Sequence, residues 1–174
     1  YQEPVDIKNR VFNPKFYYDY QLANIHKWEQ LIATIDPAHE GEDSFAVVVL
    51  GLHNNFLYVL DTVYTQNSGA NVEYQVAEVI YRNKLDYVRI EKNNGGNVIG
   101  RNIEDILRDN FGFSCEFDYF TRTGGKTQDS HIIARGSKHA RIISHSSKIN
   151  NYVLFPENFP EIHTEAYNEL IKYN

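Results

Sequence analysis

The sequence predicts an α/β domain built on one mixed sheet of five strands or slightly more. Strands one to three are expected to be antiparallel, strands four and five to run parallel to the first, and helices to cover both faces. Three apolar, β-branched runs follow one another with only short connections. Two segments with helical periodicity come next, and each leads into another strand-like run. A helix between two strands lets the second strand run parallel to an earlier one, through a right-handed crossover.

The length and composition are those of a single compact domain. The chain has 174 residues, of which 42% are apolar and 14% aromatic, and this is enough to bury a substantial core. Its only cysteine, Cys115, excludes an internal disulfide and is expected to be a buried apolar residue. No segment approaches the roughly 20 apolar residues that span a bilayer, and no signal segment is present, so we expect a soluble intracellular protein.

The net charge is −6, which argues against nucleic-acid binding because DNA-binding proteins usually carry a basic surface. A metal-dependent nuclease remains compatible with this charge. Its carboxylates are counted in the sum, whereas the cations that they hold are not. The charge therefore weakens the case for a nuclease without excluding it.

Residues 1–30 are polar and aromatic. They predict an arm or linker that packs its rings on the main domain, with a short helix that runs through Trp28. The main domain is predicted over residues 31–174. Because the chain begins at Tyr1 and contains no methionine, we expect it to be a piece of a longer protein.

The first three strands are predicted between residues 31 and 65. The run LIATI ends at Asp36, and the runs SFAVVVLGL and FLYVLDTVY follow it. The sequence His-Asn-Asn at 53–55 joins the second and third strands. Asparagine tolerates the left-handed backbone that tight hairpins need, so these strands are expected to be antiparallel.

Two helices and two further strands are predicted next. Valine and isoleucine recur at helical spacing from Val72 to Ile80, with Asn71 as the expected N-cap, and the strand YVRIEKN follows. A second amphipathic helix over about 97–111 leads to the strand SCEFDYFTR. A helical segment over 127–147, the short strand YVLF, and a last helix in EIHTEAYNELIKYN complete the chain, with Ile162 expected on the apolar side of that helix.

Two acids are brought together by this topology if the fourth strand lies beside the first. Asp36 and Glu91 then stand at the carboxyl ends of neighbouring parallel strands, the edge where open α/β sheets place their ligands. The turn KNNGG after Glu91 has the backbone freedom to let a phosphate approach. Two alternatives stay open: Asp36 could simply initiate a turn before proline, and Glu91 could pair in solvent with Lys92 or Arg89.

This order of elements is the pattern of the ribonuclease H-like fold. The run IDPAHEGEDSFAVVVLGL, then FLYVLD, then IEKNNGG, then KHARI before NYVLFPEN, is similar to the C-terminal nuclease domain of the large terminase subunit of tailed bacteriophages. The similarity covers residues 31–174, and residues 1–30 resemble the connection that follows the terminase ATPase domain. The resemblance implies a metal-dependent endonuclease that cuts concatemeric double-stranded viral DNA during packaging.

The resemblance also implies the site and its cofactors. Asp36 and Glu91 correspond to the first and second catalytic acids, and they are expected to bind metal together with Asp43. Mg²⁺ and Mn²⁺ are hard cations that prefer carboxylate oxygens, and two such ions about 4 Å apart assist phosphodiester cleavage. Crowded carboxylates repel one another, and bound metal relieves this repulsion.

The family's third acid is expected beyond Asn174. Asp118 is predicted in the middle of a strand, and Glu165 and Glu169 are predicted to face solvent. Two acids alone bind metal weakly, so the chain ending at Asn174 is expected to be weak or inactive. Asp61 is predicted to be a structural or surface acid at the end of the third strand.

DNA contact is predicted for four basic residues near or beyond the end of the fifth strand: Arg122, Lys126, Lys138 and Arg141. Contacts of this kind hold the phosphate backbone without reading bases, so little sequence preference is expected. An ordinary charged surface is the alternative for each of them. No Gly-rich lysine loop is present, and this chain by itself is not expected to hydrolyse ATP.

The expected partners are double-stranded DNA, the rest of the large terminase with its ATPase domain, the small terminase subunit and the portal, in the cytoplasm of the host cell and without a membrane. Two alternatives to this function remain. One is another ribonuclease H-like nuclease of the resolvase or transposase type. The other is a non-catalytic docking module of the packaging motor.

Overall fold

The computed structural model describes residues 10–37, 44–93, 95–121 and 138–173. These residues form a mixed sheet in the order β1-β7-β4-β3-β2-β5-β6. The strands are β1 (Lys15–Tyr17), β2 (Gln30–Asp36), β3 (Phe45–His53), β4 (Phe56–Thr65), β5 (Tyr87–Glu91), β6 (Glu116–Phe120) and β7 (Val153–Pro156). The helices are α1 (Asp19–Leu22), α2 (Ala70–Asn83), α3 (Gly96–Phe111), α4 (Lys138–Tyr152), α5 (Phe159–Ile162) and α6 (Thr164–Lys172).

The five central strands have the predicted directions. Strands β2, β3 and β4 form an antiparallel meander, β5 pairs in parallel with β2, and β6 pairs in parallel with β5. Asn54 and Asn55 connect β3 to β4 with positive φ angles of 49° and 64°, the left-handed conformations of a tight hairpin. The crossover through α2 therefore places the fourth predicted strand beside the first, which is the condition under which the sequence brings Asp36 and Glu91 together.

Strands β1 and β7 extend the sheet on its other side. Strand β7 was predicted, whereas β1 lies in the predicted arm and was not expected. Tyr17 explains why this short segment joins the sheet. Its ring is 2% exposed, and its hydroxyl donates a hydrogen bond of 2.7 Å to the carbonyl oxygen of Val59. The prediction that arm rings pack on the main domain is confirmed for Tyr17.

The predicted helix through Trp28 is wrong, because α1 ends at Leu22. Trp28 instead packs its indole against Gly51 of β3. A Cβ atom on Gly51 would come within 2.6 Å of the ring, so the close approach requires glycine.

One face of the central sheet packs against α2 and α3. Alternate residues of β2, β3 and β5 are buried there, and Val76 and Ile80 of α2 are fully enclosed. Cys115 is half-buried at the margin of this core, and burial raises the pKa of its thiol to about 11. The predicted N-cap, Asn71, is wrong. The cap is Gly69, whose φ of +88° is a conformation that glycine adopts readily, and Asn71 is exposed in the first turn.

The opposite face packs against α5 and α6. Val59, Phe155 and Phe159 form a second buried cluster, with Ala166 and Leu170 of α6 against it. Helices thus cover both faces, as predicted. Within the described ranges, no helix has both the length and the apolar character needed to cross a membrane.

Two helix boundaries differ from their predictions. The last helix begins at Thr164, and the residue placed on its apolar side, Ile162, lies in α5 and is 59% exposed. The helix predicted over 127–147 is observed as α4. It continues to Tyr152 and takes up the first residue of the predicted strand, while residues 127–137 lie outside the described ranges.

Candidate active site at the carboxyl edge of the sheet

Asp36 and Glu91 lie at the same level of two neighbouring parallel strands. Ile35 is the register partner of Ile90, so the next residue of each strand is one of the two acids. Ile35 and Ile90 point into the core, and the alternation of side chains therefore directs both acids to the other face. Asp36 is exposed and Glu91 is half-buried. Adjacent strands lie about 4.8 Å apart, so two carboxylates share this corner of the sheet.

The first turn of α3 packs directly on the ends of both strands. A Cβ atom on Gly96 would overlap the carbonyl oxygen of Glu91 and come within 3.0 Å of Pro37 Cγ. Gly95, with φ of +82°, turns the chain into the helix. Asn93 Nδ2 donates a hydrogen bond of 3.1 Å to Glu91 Oε1 and orients the carboxylate. Gly96, one of the two glycines predicted to admit a phosphate, thus allows α3 to pack on the strand ends.

Arg89 and Asp118 form an ion pair on the same face as the two acids. Arg89 Nε lies 3.3 Å from Asp118 Oδ2, and each side chain is 37% exposed. The guanidinium carbon lies 4.5 Å from the centre of the Phe120 ring. Burial raises the pKa of Tyr87, and a hydrogen bond to Asp118 adds to this effect. Arg89 therefore pairs with Asp118, which lies in the middle of β6 as predicted, rather than with Glu91.

Several predicted site residues lie outside what can be described. Asp43, Arg122 and Lys126 fall in undescribed ranges, and for Lys138 and Arg141 only the backbone of α4 is described. Within the described part of the chain, no group of three or more His, Cys, Asp or Glu side chains is close enough to hold a metal ion. The described residues contribute Asp36 and Glu91 to the predicted metal set.

The acids of α6 lie closer to this edge than their predicted role suggested. Glu165 and Glu169 are exposed, as predicted, but both line a cavity of about 250 Å³ together with Ser44 and Tyr64. A larger cavity of about 600 Å³ adjoins Tyr64 and Glu165 at the start of α6.

Tyr64 locates these acids relative to Asp36. Ala46 is the register partner of both Asp36 and Tyr64, so the backbone of Tyr64 is two strands, or roughly 10 Å, from that of Asp36. The acids of α6 line the same cavity as Tyr64. They also lie on the face that Asp36 occupies. Sequence reasoning missed this placement because it depends on which strand α6 covers, and no periodicity in the helix records that.

Asp61 is a structural acid, as predicted, but it lies inside β4 rather than at its end. Arg82 donates hydrogen bonds of 2.8 Å from Nε and 2.6 Å from Nη2 to Asp61 Oδ2, and Asn83 donates a third at 3.0 Å. The carboxylate is 14% exposed and ties β4 to the end of α2. Its oxygens are thus engaged in holding the fold.

A mixed sheet of this topology, with helices on both faces and acids at the ends of two central parallel strands, defines a ribonuclease H-like domain. The family model for the ribonuclease H-like domain of the bacteriophage T7 terminase matches residues 35–151, more than half of the chain, and the protein belongs to this family. The predicted resemblance to terminase nuclease domains is thereby confirmed. None of the curated proteins compared with the sequence matches it.

Solved structures share the fold at low sequence identity. A manganese-soaked, inhibitor-bound terminase nuclease domain of human cytomegalovirus has a TM-score of 0.53 and 15% identity, over 82% of this chain and 70% of that one. The nuclease domain of the large terminase of bacteriophage SPP1, with bound manganese, has a TM-score of 0.50 and 13% identity, over 91% and 75%. The Holliday junction resolvase of fowlpox virus has a TM-score of 0.51 and 19% identity, over 81% and 88%.

Proposed function

We propose that the protein is the metal-dependent DNA endonuclease domain of a viral genome-packaging terminase and cuts concatemeric double-stranded DNA with little sequence preference. The observation that carries this proposal is the pair Asp36 and Glu91, at one level of two parallel strands in a chain of the terminase ribonuclease H-like family. Membership of the family supports the substrate, and the carboxylate pair supports the chemistry.

The donor set fits a hard divalent cation. Asp36 and Glu91 offer carboxylate oxygens, the ligands that Mg²⁺ and Mn²⁺ prefer, and Asp43 is the third proposed ligand. Manganese is present in the related structures from cytomegalovirus and bacteriophage SPP1, which supports the choice of metal. When bound, two such ions would supply Lewis-acid stabilisation of the phosphodiester oxygens and make water more acidic.

The residues around the acids keep them in place for this chemistry. Asn93 donates a hydrogen bond to one oxygen of Glu91 and so restrains the carboxylate. Gly96 lets the first turn of α3 pack against the carbonyl oxygen of Glu91 and near Pro37, so the backbone at the two strand ends is held in place. Acids on a fixed backbone lose less freedom when they bind a cation than acids on a mobile one.

A further carboxylate would complete the site. One candidate is the acid that the resemblance implies beyond residue 174, and a second is Glu169 of α6, which lines a cavity with Ser44 at the same edge. Substitution of Glu169 by glutamine, in this chain and in one extended past residue 174, distinguishes the two. If Glu169 is the ligand, its loss weakens manganese binding in both chains.

DNA contacts at Arg122, Lys126, Lys138 and Arg141 remain part of the proposal, as do the ATPase domain, the small terminase subunit and the portal as partners in the host cytoplasm. The shared fold of the fowlpox resolvase leaves branched DNA as a second substrate to test. Docking without catalysis predicts no manganese binding that depends on Asp36.

The deciding experiment is cleavage of supercoiled plasmid in manganese, with a chelator control and with a synthetic four-way junction in parallel. Asp36→Asn and Glu91→Gln should abolish cleavage. Glu78→Gln, which changes an exposed carboxylate on α2, should leave cleavage unchanged. Both this chain and the extended chain are assayed. If neither cuts DNA or binds manganese by calorimetry, the nuclease proposal is wrong and docking becomes the better explanation.

A further inference from the structure

Arg89 is a cation placed among the acids of the candidate site. It precedes Glu91 by two residues on β5, so the two side chains leave the same face about 7 Å apart along the strand. Thr34 on β2 and Asp118 on β6 are its register partners, which puts it between the strand of Asp36 and the edge of the sheet. Arg89 is therefore a cation close to the place where a DNA backbone bound at Asp36 and Glu91 would lie.

The guanidinium is held in one orientation by two neighbours. Asp118 lies against Nε at 3.3 Å, and the Phe120 ring lies 4.5 Å from the guanidinium carbon. Ring and carboxylate together restrain both the plane and the rotation of the group. Among the described residues, none accepts a hydrogen bond from Arg89, whose Nε is buried.

The free end of the guanidinium suits a phosphate. Arginine carries five N–H donors in a planar fork that binds phosphate through two parallel hydrogen bonds. A restrained fork loses little further side-chain entropy when it binds, because most of that loss has already occurred in the folded protein. The distance between Arg89 and Glu91 along β5 is comparable to the spacing of neighbouring phosphates on one DNA strand.

We propose that Arg89 binds a backbone phosphate next to the one that is cut, with the Phe120 ring positioning the guanidinium and the phosphate competing with Asp118 for it. The inference rests on the proposed nuclease function, and it names a DNA contact that the basic residues after β6 do not include. Arg89 thus touches the substrate, whereas Asp118 competes with the phosphate for it.

The alternative is that Arg89 and Asp118 form an ordinary ion pair. Half-exposed pairs of this kind contribute little to stability, and such a pair loses the same small amount whichever partner is replaced. A phosphate site behaves differently, because the two replacements act on DNA in opposite directions. Loss of Arg89 removes a phosphate contact, whereas loss of Asp118 removes a negative charge that competes with the phosphate.

The test measures the affinity for a fluorescein-labelled DNA duplex by anisotropy at several salt concentrations. Calcium replaces manganese so that binding is measured apart from cleavage. Arg89→Gln should weaken binding on the order of tenfold and reduce the slope of log Kd against log salt by about 1. Asp118→Asn should bind as tightly as the natural protein or more tightly.

Two further variants make the result specific. Arg89→Lys keeps the charge without the fork, so it should retain the salt slope and recover part of the affinity. Arg108→Gln is the matched control, because Arg108 is an exposed arginine paired with Asp105 on α3. It should bind DNA like the natural protein. Thermal melting of each variant confirms that the fold is retained.

The two proposals fail in different ways. If the natural protein binds and cuts DNA while Arg89→Gln shows unchanged affinity and salt slope, the role of Arg89 is wrong and the nuclease function stands. Equal losses of affinity in Arg89→Gln and Asp118→Asn would likewise point to an ion pair. If the natural protein neither binds nor cuts DNA, the nuclease proposal and the inference drawn from it are both overturned.

Discussion

Asp36 and Glu91 are 55 positions apart in the chain, yet each stands one residue beyond the register pair Ile35 and Ile90. A divalent cation bound between two carboxylates is attracted by both of them. A cation that binds only the folded protein also stabilises the fold. Metal binding should therefore be visible in the stability of the fold.

Manganese should stabilise the natural protein against thermal unfolding. At a concentration about 100 times the Kd, the expected gain is about 2.7 kcal/mol. Asp36→Asn and Glu91→Gln should lose most of this gain, whereas Glu78→Gln should keep it. Melting temperatures with and without manganese, followed by circular dichroism, provide the measurement. A gain of equal size in Asp36→Asn would place the metal elsewhere.

Gly96→Ala should reduce stability and manganese binding more than Gly95→Ala does. The added methyl group would overlap the carbonyl oxygen of Glu91, so either α3 or the end of β5 must shift. Gly95→Ala is the control, because a Cβ there meets no atom within 4 Å and the cost is the roughly 1–3 kcal/mol of a left-handed alanine. Chemical denaturation and manganese titration should show the larger loss for Gly96→Ala. Equal losses would mean that the contact with Glu91 is not needed.

The central sheet and the acid pair could be predicted because their signals are local and combine through a general rule. The apolar runs set the strands, the asparagines at 54–55 set the hairpin, and the helix between β4 and β5 allowed β5 to run parallel to β2. The acids then followed from their position at the strand ends. No contact between distant side chains had to be known in advance.

The features that could not be predicted depend on packing between distant segments. Strand β1 is three residues long and has no periodicity of its own, so it is a strand only because β7 offers an open edge. The pairing of Arg89 with Asp118 requires the register of β5 with β6, and the place of Glu169 requires knowing that α6 covers β4. Helix α2 likewise begins after Gly69, which has a positive φ, and it lacks the side-chain cap that was expected from Asn71.

Tyr17→Phe should show that β1 belongs to the folded domain. The substitution removes the hydroxyl that donates to the Val59 carbonyl and leaves a buried acceptor without its partner, at a cost of about 1–3 kcal/mol. Tyr20→Phe, at a tyrosine that is 67% exposed, should change stability little. Urea denaturation compares the two. If Tyr17→Phe is as stable as the natural protein, β1 is an attached arm rather than part of the cooperative unit.

His163, the residue before α6, should make the free energy of unfolding depend on pH. Burial lowers its pKa below the ordinary value of 6.5, although Asp61 acts in the other direction. Its ring centre lies 5.1 Å from that of Phe159, so the neutral ring belongs to the second core. Below pH 6.5 the unfolded chain takes up a proton more readily than the folded one. This contribution to stability is therefore complete above pH 6.5 and is lost as the pH falls through the lower folded pKa.

The free energy of unfolding of His163→Gln should thus fall less steeply than that of the natural protein between neutral pH and about pH 5. Carboxylates titrate in both proteins, so the difference between the two curves isolates the histidine. His145→Gln, at an exposed position on α4, should follow the curve of the natural protein. Urea denaturation at each pH gives the free energies. Parallel curves for His163→Gln and the natural protein would show that His163 is solvated well enough to titrate normally, and that α6 is held by Ala166 and Leu170 without it.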